Sequence, residues 1–253
     1  MLQEFLSLNI FNFFLVFSRV GTAVSLFPGF SSVYVNIRAR LVIGLGVSLA
    51  VMPFVAASLP EMPAAPSDLG ILIAGEVLIG AFFGVITRAF MASLQTAGTL
   101  IAYFSSMANA LIQDPIVEQQ SSLFGGFLTT VGIVIIFVTD THHLMIRAVA
   151  ESYGLFVPGQ PLVTGDFSEI VARRVADGFK LGVQMSSPVI VTAITYYLGL
   201  GLLTRLMPAL PVFFFGLPIQ VSMQISVFMI TFSSMMLVFM SRFEEGLTSF
   251  LTP

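Results

Sequence analysis

The chain reads LGILIAGEVLIGAFFGVITRAFMASLQTAGTLIAYF from Leu69 to Phe104, an apolar run with only two charged side chains, Glu76 and Arg88. A helix needs about 20 apolar residues to cross the hydrocarbon core of a bilayer, so this run is too long for one crossing. We predict a short hairpin with its turn near Thr87 and Arg88. Because the second arm is rich in polar side chains, a re-entrant or protein-buried arm is the alternative.

The composition places the whole chain in a membrane environment. Of its 253 residues, 57% are hydrophobic and only 9% are charged, against about 25% in soluble domains. The mean hydropathy is +0.99, and a water-soluble chain of this length could not bury so much apolar surface. We predict an all-α, integral-membrane-type protein of long kinked apolar hairpins with about six to seven hydrophobic segments. The clearest apolar runs are residues 8–27, 41–59, 69–104, 123–150, 181–203 and 212–240.

A polar break, SSMANALIQDPIVEQQSS at residues 105–122, divides these runs. It carries Asp114 and Glu118 but no lysine or arginine. We interpret residues 1–253 as a single membrane-type helical domain, with an N-terminal part (1–104), this central loop (105–122) and a C-terminal part (123–253).

Charged residues inside and between the runs suggest where protein and cytoplasm lie. Arg19 falls within the run 8–27, where a central charge costs at least about 2.5 kcal/mol, so its side chain should face protein or water. If residues 69–104 form a hairpin, nearly all cations lie on one side, and only Arg205 lies on the other. The positive-inside rule then makes that side the cytoplasm, with the C-terminus inside and the central loop outside.

The residue inventory argues against several function classes. A net charge of −3 gives no basic surface for nucleic acid, and the absence of cysteine excludes thiolate metal sites. The two histidines, His142 and His143, are neighbours whose side chains should diverge by about 100° on a helix, so we predict no metal site. No nucleophile–base constellation or phosphate loop is visible, so we predict a protein that is not an enzyme and has no cofactor.

The segment LLTRLMPALPVFFFGLPIQ at residues 202–220 resembles a signature of the FliR/SctT family, the export-gate subunits of flagellar and virulence type III secretion systems. The likeness extends in order along nearly the whole chain. Its elements are Arg19 with Phe27-Pro28, Arg38 and Arg40, Asp114-Pro115, His143-Leu144, Tyr153-Gly154, Arg205, Met207-Pro208, Val212-Phe213 and Gly216-Leu217-Pro218-Ile219-Gln220.

The resemblance implies a non-enzymatic channel subunit in the bacterial inner membrane, within the flagellar basal body. It would form, with FliP-like and FliQ-like subunits, one helical assembly that closes a pore for unfolded export substrates. An FlhB-like subunit would lie near the pore entrance. The alternative function is a secondary transporter of a small solute, which would require an inverted repeat between the two halves of the chain.

The resemblance also implies two sets of site residues. The central loop would act as a channel plug, formed by Ser106, Met107, Ala108, Asn109, Ala110, Leu111, Ile112, Gln113, Asp114 and Pro115. The alternative interpretation of this loop is a plain extracytoplasmic linker. Packing or subunit contacts are expected for Arg19, Arg38, Arg40, Glu76, Arg88, Arg205, Pro208, Gly216, Pro218 and Gln220.

Overall fold

The computed structural model describes residues 2–32, 34–107, 111–113, 120–160, 164–207 and 212–251. In chain order its helices are α1 (Leu2–Leu26), α2 (Ile37–Val55), α3 (Pro66–Phe104), α4 (Leu123–Val138), α5 (Thr141–Leu155), α6 (Thr164–Leu206) and α7 (Val212–Thr248). A 3₁₀ turn, Ala56–Ser58, extends α2. Two short strands, β1 (Leu111–Gln113) and β2 (Gln120–Ser122), lie between α3 and α4. The predicted all-α class is confirmed, with this small ribbon added to it.

Four of the described helices are long and apolar enough to cross a membrane. Judged by length and composition alone, they are Ile37–Ser58, Pro66–Phe104, Phe167–Leu206 and Phe214–Thr248. The pair α4 and α5 adds a fifth candidate if it is counted as one bent span. The chain is therefore an integral-membrane-type helical protein, as its composition predicts.

Helix α3 is continuous over 39 residues, so the predicted hairpin with a turn near Thr87 is wrong. The serine and threonine hydroxyl groups in its second half form their hydrogen bonds with backbone carbonyls of the same helix. The Ser93 hydroxyl donates to the Phe90 carbonyl at 2.6 Å, and the Thr96 hydroxyl donates to the Ala92 carbonyl at 2.9 Å. A hydroxyl that bonds back to the preceding turn needs no water, so this arm stays helical in apolar surroundings.

The apolar run 123–150 is broken between α4 and α5, a feature that the sequence analysis did not predict. At the break Asp140 adopts a left-handed backbone conformation, with a φ of 58°. Aspartate tolerates this conformation better than most residues, which explains why the chain turns here.

The chain divides into two compact units, and each contains parts of several helices. The first unit contains Met1–Ala89, Ile136–Val175 and Phe243–Pro253. The second contains Phe90–Ile135 and Ala176–Arg242.

In the first unit, the guanidinium of Arg19 on α1 is completely buried. It is paired in a bidentate manner with Glu76 on α3, with Nε 2.7 Å and Nη2 2.9 Å from the two carboxylate oxygens. Its remaining contacts lie at the C-terminal end of α5. Nη1 donates to the Ser152 hydroxyl at 3.1 Å, Nη2 donates to the Phe156 carbonyl at 2.8 Å, and the guanidinium lies 3.8 Å from the centroid of the Tyr153 ring.

This cluster confirms that Arg19 faces protein, and it shows what the arginine does there. The pair joins α1 to α3, and the two other hydrogen bonds join α1 to the end of α5. A bidentate arginine–carboxylate pair holds both partners in a defined geometry. The charge that is costly in an apolar environment therefore connects three helices of the first unit.

Close approach of α1 to α3 depends on two glycines of α3. A side chain at Gly80 would collide with the backbone carbonyl of Arg19, and one at Gly84 would collide with the Leu26 side chain. Glycines four residues apart on one helix allow another helix to approach closely, as they do in membrane helix pairs. The two glycines thus lie at a real helix–helix contact.

In the second unit, the second half of α3 lies in the core, where Leu94, Ala97 and Ile101 are buried. A side chain at Gly98 would collide with the backbone of Gly125 on α4. This arm of α3 is therefore buried in protein, which was the alternative to the hairpin in the sequence analysis.

Replacing Arg19 alone with leucine should lower the free energy of unfolding by about 3–5 kcal/mol, because Glu76 would remain buried without a counter-charge. Replacing Arg19 and Glu76 together with leucine should recover most of that loss. The measurement is denaturant unfolding of the protein purified in detergent.

A matched control is the exposed pair formed by Arg173 and Glu169 on α6, also in the first unit. Arg173→Ala should leave the unfolding midpoint nearly unchanged, because exposed pairs of this kind contribute little. Equal stability of the single Arg19 variant and the double variant would contradict a coupled buried pair.

Candidate functional site

The central loop leaves α3 through a helix-terminating turn in the second unit. The Met107 amide donates to the Ala102 carbonyl at 2.9 Å, and the Ser106 amide donates to the Tyr103 carbonyl at 3.3 Å. These are the two hydrogen bonds of a Schellman motif, which normally places glycine at the left-handed position. Here Ser106 occupies that position, with a φ of 59°.

Side chains of α6 and α7 hold this turn. The amide nitrogen of Gln220, which is buried, donates to the Phe104 carbonyl at 3.1 Å and to the Tyr197 hydroxyl at 2.8 Å. The Tyr197 and Ser106 hydroxyls lie 3.3 Å apart. Carbonyls in the last turn of a helix have no partner within the helix, and Gln220 supplies one for Phe104.

Past this turn, the described part of the loop forms an antiparallel ribbon. Leu111 pairs with Ser122, Ile112 with Ser121, and Gln113 with Gln120. Of the predicted plug residues, Ser106 and Met107 therefore lie at the end of α3, and Leu111, Ile112 and Gln113 form β1. The others, Ala108, Asn109, Ala110, Asp114 and Pro115, lie outside the described residues.

Residues of the signature segment occupy the end of α6 and the start of α7. Arg205 is exposed in the last turn of α6, where a cation complements the helix dipole. The Gly216 carbonyl accepts a hydrogen bond from the Tyr196 hydroxyl at 2.6 Å, and Pro218 lies exposed within α7. Pro208 lies outside the described residues.

Three further arginines for which packing or subunit contacts were predicted lie in the first unit. Two of them donate to backbone carbonyls, and the third is exposed. Arg40 Nη2 donates to the Ser32 carbonyl at 3.1 Å, and Arg88 Nε donates to the Leu26 carbonyl at 3.2 Å. Arg38 is exposed in the first turn of α2. The structure thus brings together Arg19 with Glu76, and Gln220 with the start of the loop.

An open cleft of about 710 Å³ in the first unit is lined mainly by apolar side chains, among them Leu72 and Ile79. Among the described residues of its lining, the charged ones are Asp68 and Glu76. Both carboxylate oxygens of Glu76 accept hydrogen bonds from Arg19, so this carboxylate is not poised for general acid–base work.

The expectation that His142 and His143 diverge is wrong. Their ring centroids lie 4.1 Å apart, and one potential ligand atom from each histidine and one from Asp140 lie within 4.8 Å of one another. The Cβ directions of neighbours differ on a helix, but the rings are long enough to converge above the break at Asp140. Asp140 is exposed, and exposed acidic groups are common without an ion.

Two side chains that complete these clusters were not predicted: Ser152 beside Arg19, and Tyr197 beside Gln220. Tyr153, which was noted only for the family resemblance, also lies beside Arg19. One signal was available. The chain has only 5 tyrosines, and a tyrosine on an apolar helix usually finds a partner for its hydroxyl. That signal marks Tyr197 as a residue of interest but does not name its partner.

Comparison with known proteins gives a consistent result. The family described as bacterial export proteins, family 1, matches residues 10–246. The flagellar biosynthetic protein FliR of Caulobacter vibrioides is 34% identical over 93% of this chain and 94% of its own length. FliR of Bacillus subtilis is 28% identical over 89% of this chain and 94% of its own length. The secretion system apparatus protein SsaT of Salmonella typhimurium is 27% identical over 64% and 62%.

The resemblance to the FliR/SctT family is thereby confirmed over nearly the whole chain, including the helices that carry Arg19, Glu76, Tyr197 and Gln220. The protein belongs to the bacterial export proteins, family 1, the family of FliR and SctT.

Proposed function

We propose that this protein is a non-enzymatic membrane subunit of the flagellar type III protein export apparatus in the bacterial inner membrane. The observation that carries the proposal is the 34% identity to a flagellar biosynthetic protein across almost the full length of both chains. The fold supports it, because the protein consists mainly of long apolar helices whose buried charges Arg19 and Glu76 neutralise each other. These groups stabilise helix packing and do not present reactive chemistry.

The proposed partners are FliP-like and FliQ-like subunits in one helical assembly, together with an FlhB-like subunit. In support, the second unit exposes large apolar side chains on α6 and α7, including Leu198, Leu202, Phe214 and Ile219. Such surfaces need lipid or apolar protein as a neighbour. The exposed cations Arg38 at the start of α2, Arg88 within α3 and Arg205 at the end of α6 are proposed to make subunit contacts.

A tagged form of this protein, extracted from cells in mild detergent, should co-purify with two other small membrane proteins in fixed ratio. The measurement is native mass spectrometry of the purified material. Recovery of a stable monomer or homo-oligomer would contradict the assembly proposal and would favour the transporter alternative.

We further propose that residues Ser106–Pro115 of the central loop are the plug that closes the export pore. The loop is polar, it begins at a turn held by Gln220 and Tyr197, and part of it forms the ribbon of β1 and β2. A simple flexible connection would not require such an anchored start. Leu111 and Ile112 would supply apolar contacts that exclude water and small ions, and Asp114 would be a polar neighbour.

Replacing residues 108–112 with five glycine and serine residues should make the assembled gate leak ions, because the apolar part of the plug would be removed. The measurement is the conductance of the purified complex in planar bilayers. The control is the same replacement of residues 61–65, an equally long stretch in the connection between α2 and α3. Unchanged conductance in a normally assembled complex would contradict the plug proposal.

We also propose that the C-terminus lies in the cytoplasm. With α3 continuous, the original topology based on a hairpin no longer holds, but the distribution of cations supports the same location. The apolar run of α7 ends at Met240 and is followed closely by Arg242, near the C-terminus. The positive-inside rule counts cations beside the ends of membrane spans, so it favours the cytoplasm for this end of α7.

Because the chain has no cysteine, a single cysteine appended after Pro253 can report this location. It should be protected from a membrane-impermeant maleimide in intact spheroplasts and labelled in inverted vesicles. Labelling of the appended cysteine in intact spheroplasts would contradict the proposal.

A further inference from the structure

The start of the central loop is connected to α6 and α7 by a small polar network within the second unit. Its centre is Gln220, whose exposed fraction is 2%, and whose amide donates to both the Phe104 carbonyl and the Tyr197 hydroxyl. With both amide hydrogens engaged, the Tyr197 hydroxyl remains free to donate its own hydrogen to Ser106. One chain of hydrogen bonds therefore runs from α7 through α6 to the first residues of the loop.

Ser106 is held in a conformation that it would not choose by itself. Its left-handed backbone brings the Cβ atom close to backbone atoms, which costs free energy for any residue except glycine. A strained residue of this kind persists where its surroundings hold it. Here the surroundings are the terminating hydrogen bonds of α3 and the contact with Tyr197.

We propose that Tyr197 and Gln220 are positioning residues that latch the start of the central loop at Ser106 and Met107, with Ser106 as the strained hinge. This inference rests on the proposed plug function of the loop. When the latch opens, the hinge can leave its left-handed conformation, and the loop loses its fixed direction at the end of α3. The strain at Ser106 favours release, and the hydrogen bonds of Gln220 and Tyr197 oppose it.

The chain offers a matched control for each latch residue. Tyr196 precedes Tyr197 on α6, and its hydroxyl donates to the Gly216 carbonyl of α7. Among the residues of the loop that the structure describes, none forms a hydrogen bond with it. Gln224 lies one turn after Gln220 on α7, is equally buried, and accepts a hydrogen bond from Thr192 of α6 at 3.0 Å. Replacing either residue removes one hydrogen bond between α6 and α7 and leaves the groups that contact Ser106 in place.

The test measures the open probability of the purified assembled complex in planar bilayers. Tyr197→Phe and Gln220→Met should each raise it by roughly two- to tenfold, the factor that one net hydrogen bond corresponds to. Tyr196→Phe and Gln224→Met should leave it unchanged. A purely structural role in packing α6 against α7 would instead affect both pairs of variants alike, and that result would overturn the proposal.

Two substitutions of the hinge give a second, independent measurement. Ser106→Ala removes the hydroxyl but keeps the strain, whereas Ser106→Gly removes both. The proposal expects the alanine variant to leak more than the glycine variant. If the hinge acted through flexibility alone, the glycine variant would leak more than the alanine variant. That result would contradict the latch proposal.

The replacement of residues 108–112 serves as the reference for the whole series. If the complex with this replacement conducts ions while the complexes with the Tyr197 and Gln220 variants remain closed, the latch proposal is wrong and the plug proposal stands. If the replacement itself remains closed, the plug function fails and the latch fails with it.

Discussion

A buried guanidinium constrains the first unit more than any other group. Arg19 is completely buried on an apolar helix, so every hydrogen that it can donate has to find an acceptor from protein. Glu76 of α3 supplies two acceptors, and the end of α5 supplies two more through Ser152 and Phe156. The geometry is possible because Gly80 lets α3 approach the backbone of α1 closely. The position of three helices thus follows from the cost of leaving one charge unsatisfied.

In the second unit a polar group also needs a hydrogen-bond partner, and here both groups are neutral. Here the group that needs a partner is the Phe104 carbonyl at the end of α3, and buried Gln220 provides it. The same amide also holds the Tyr197 hydroxyl, which lies beside the strained Ser106. In apolar surroundings such interactions are specific, because few other polar partners are available. This links the end of a long helix to the direction in which the central loop leaves it, and therefore to the proposed closing of a pore.

The differences between prediction and structure have identifiable physical causes. The hairpin in residues 69–104 was predicted from length and polarity, but hydroxyls such as those of Ser93 and Thr96 are satisfied within the helix and do not require a turn or water. The histidine pair was expected to diverge because only Cβ directions were considered, and the rings of His142 and His143 converge beyond them. The ribbon of β1 and β2 was missed because Leu111–Gln113 and Gln120–Ser122 are too short to show a periodic pattern.

The amino-acid sequence by itself determined the membrane class, the helical architecture, the family, and the need for Arg19 to face protein, because each depends on composition or on the order of local motifs. It also identified the polar central loop and Gln220 as features of interest. Only the tertiary structure decided that Glu76 is the partner of Arg19, 57 positions away in the chain, and that Tyr197 and Gln220 meet at the hinge of the loop. The physical reason is that these partners are chosen by helix packing in space, which leaves no fixed spacing along the chain.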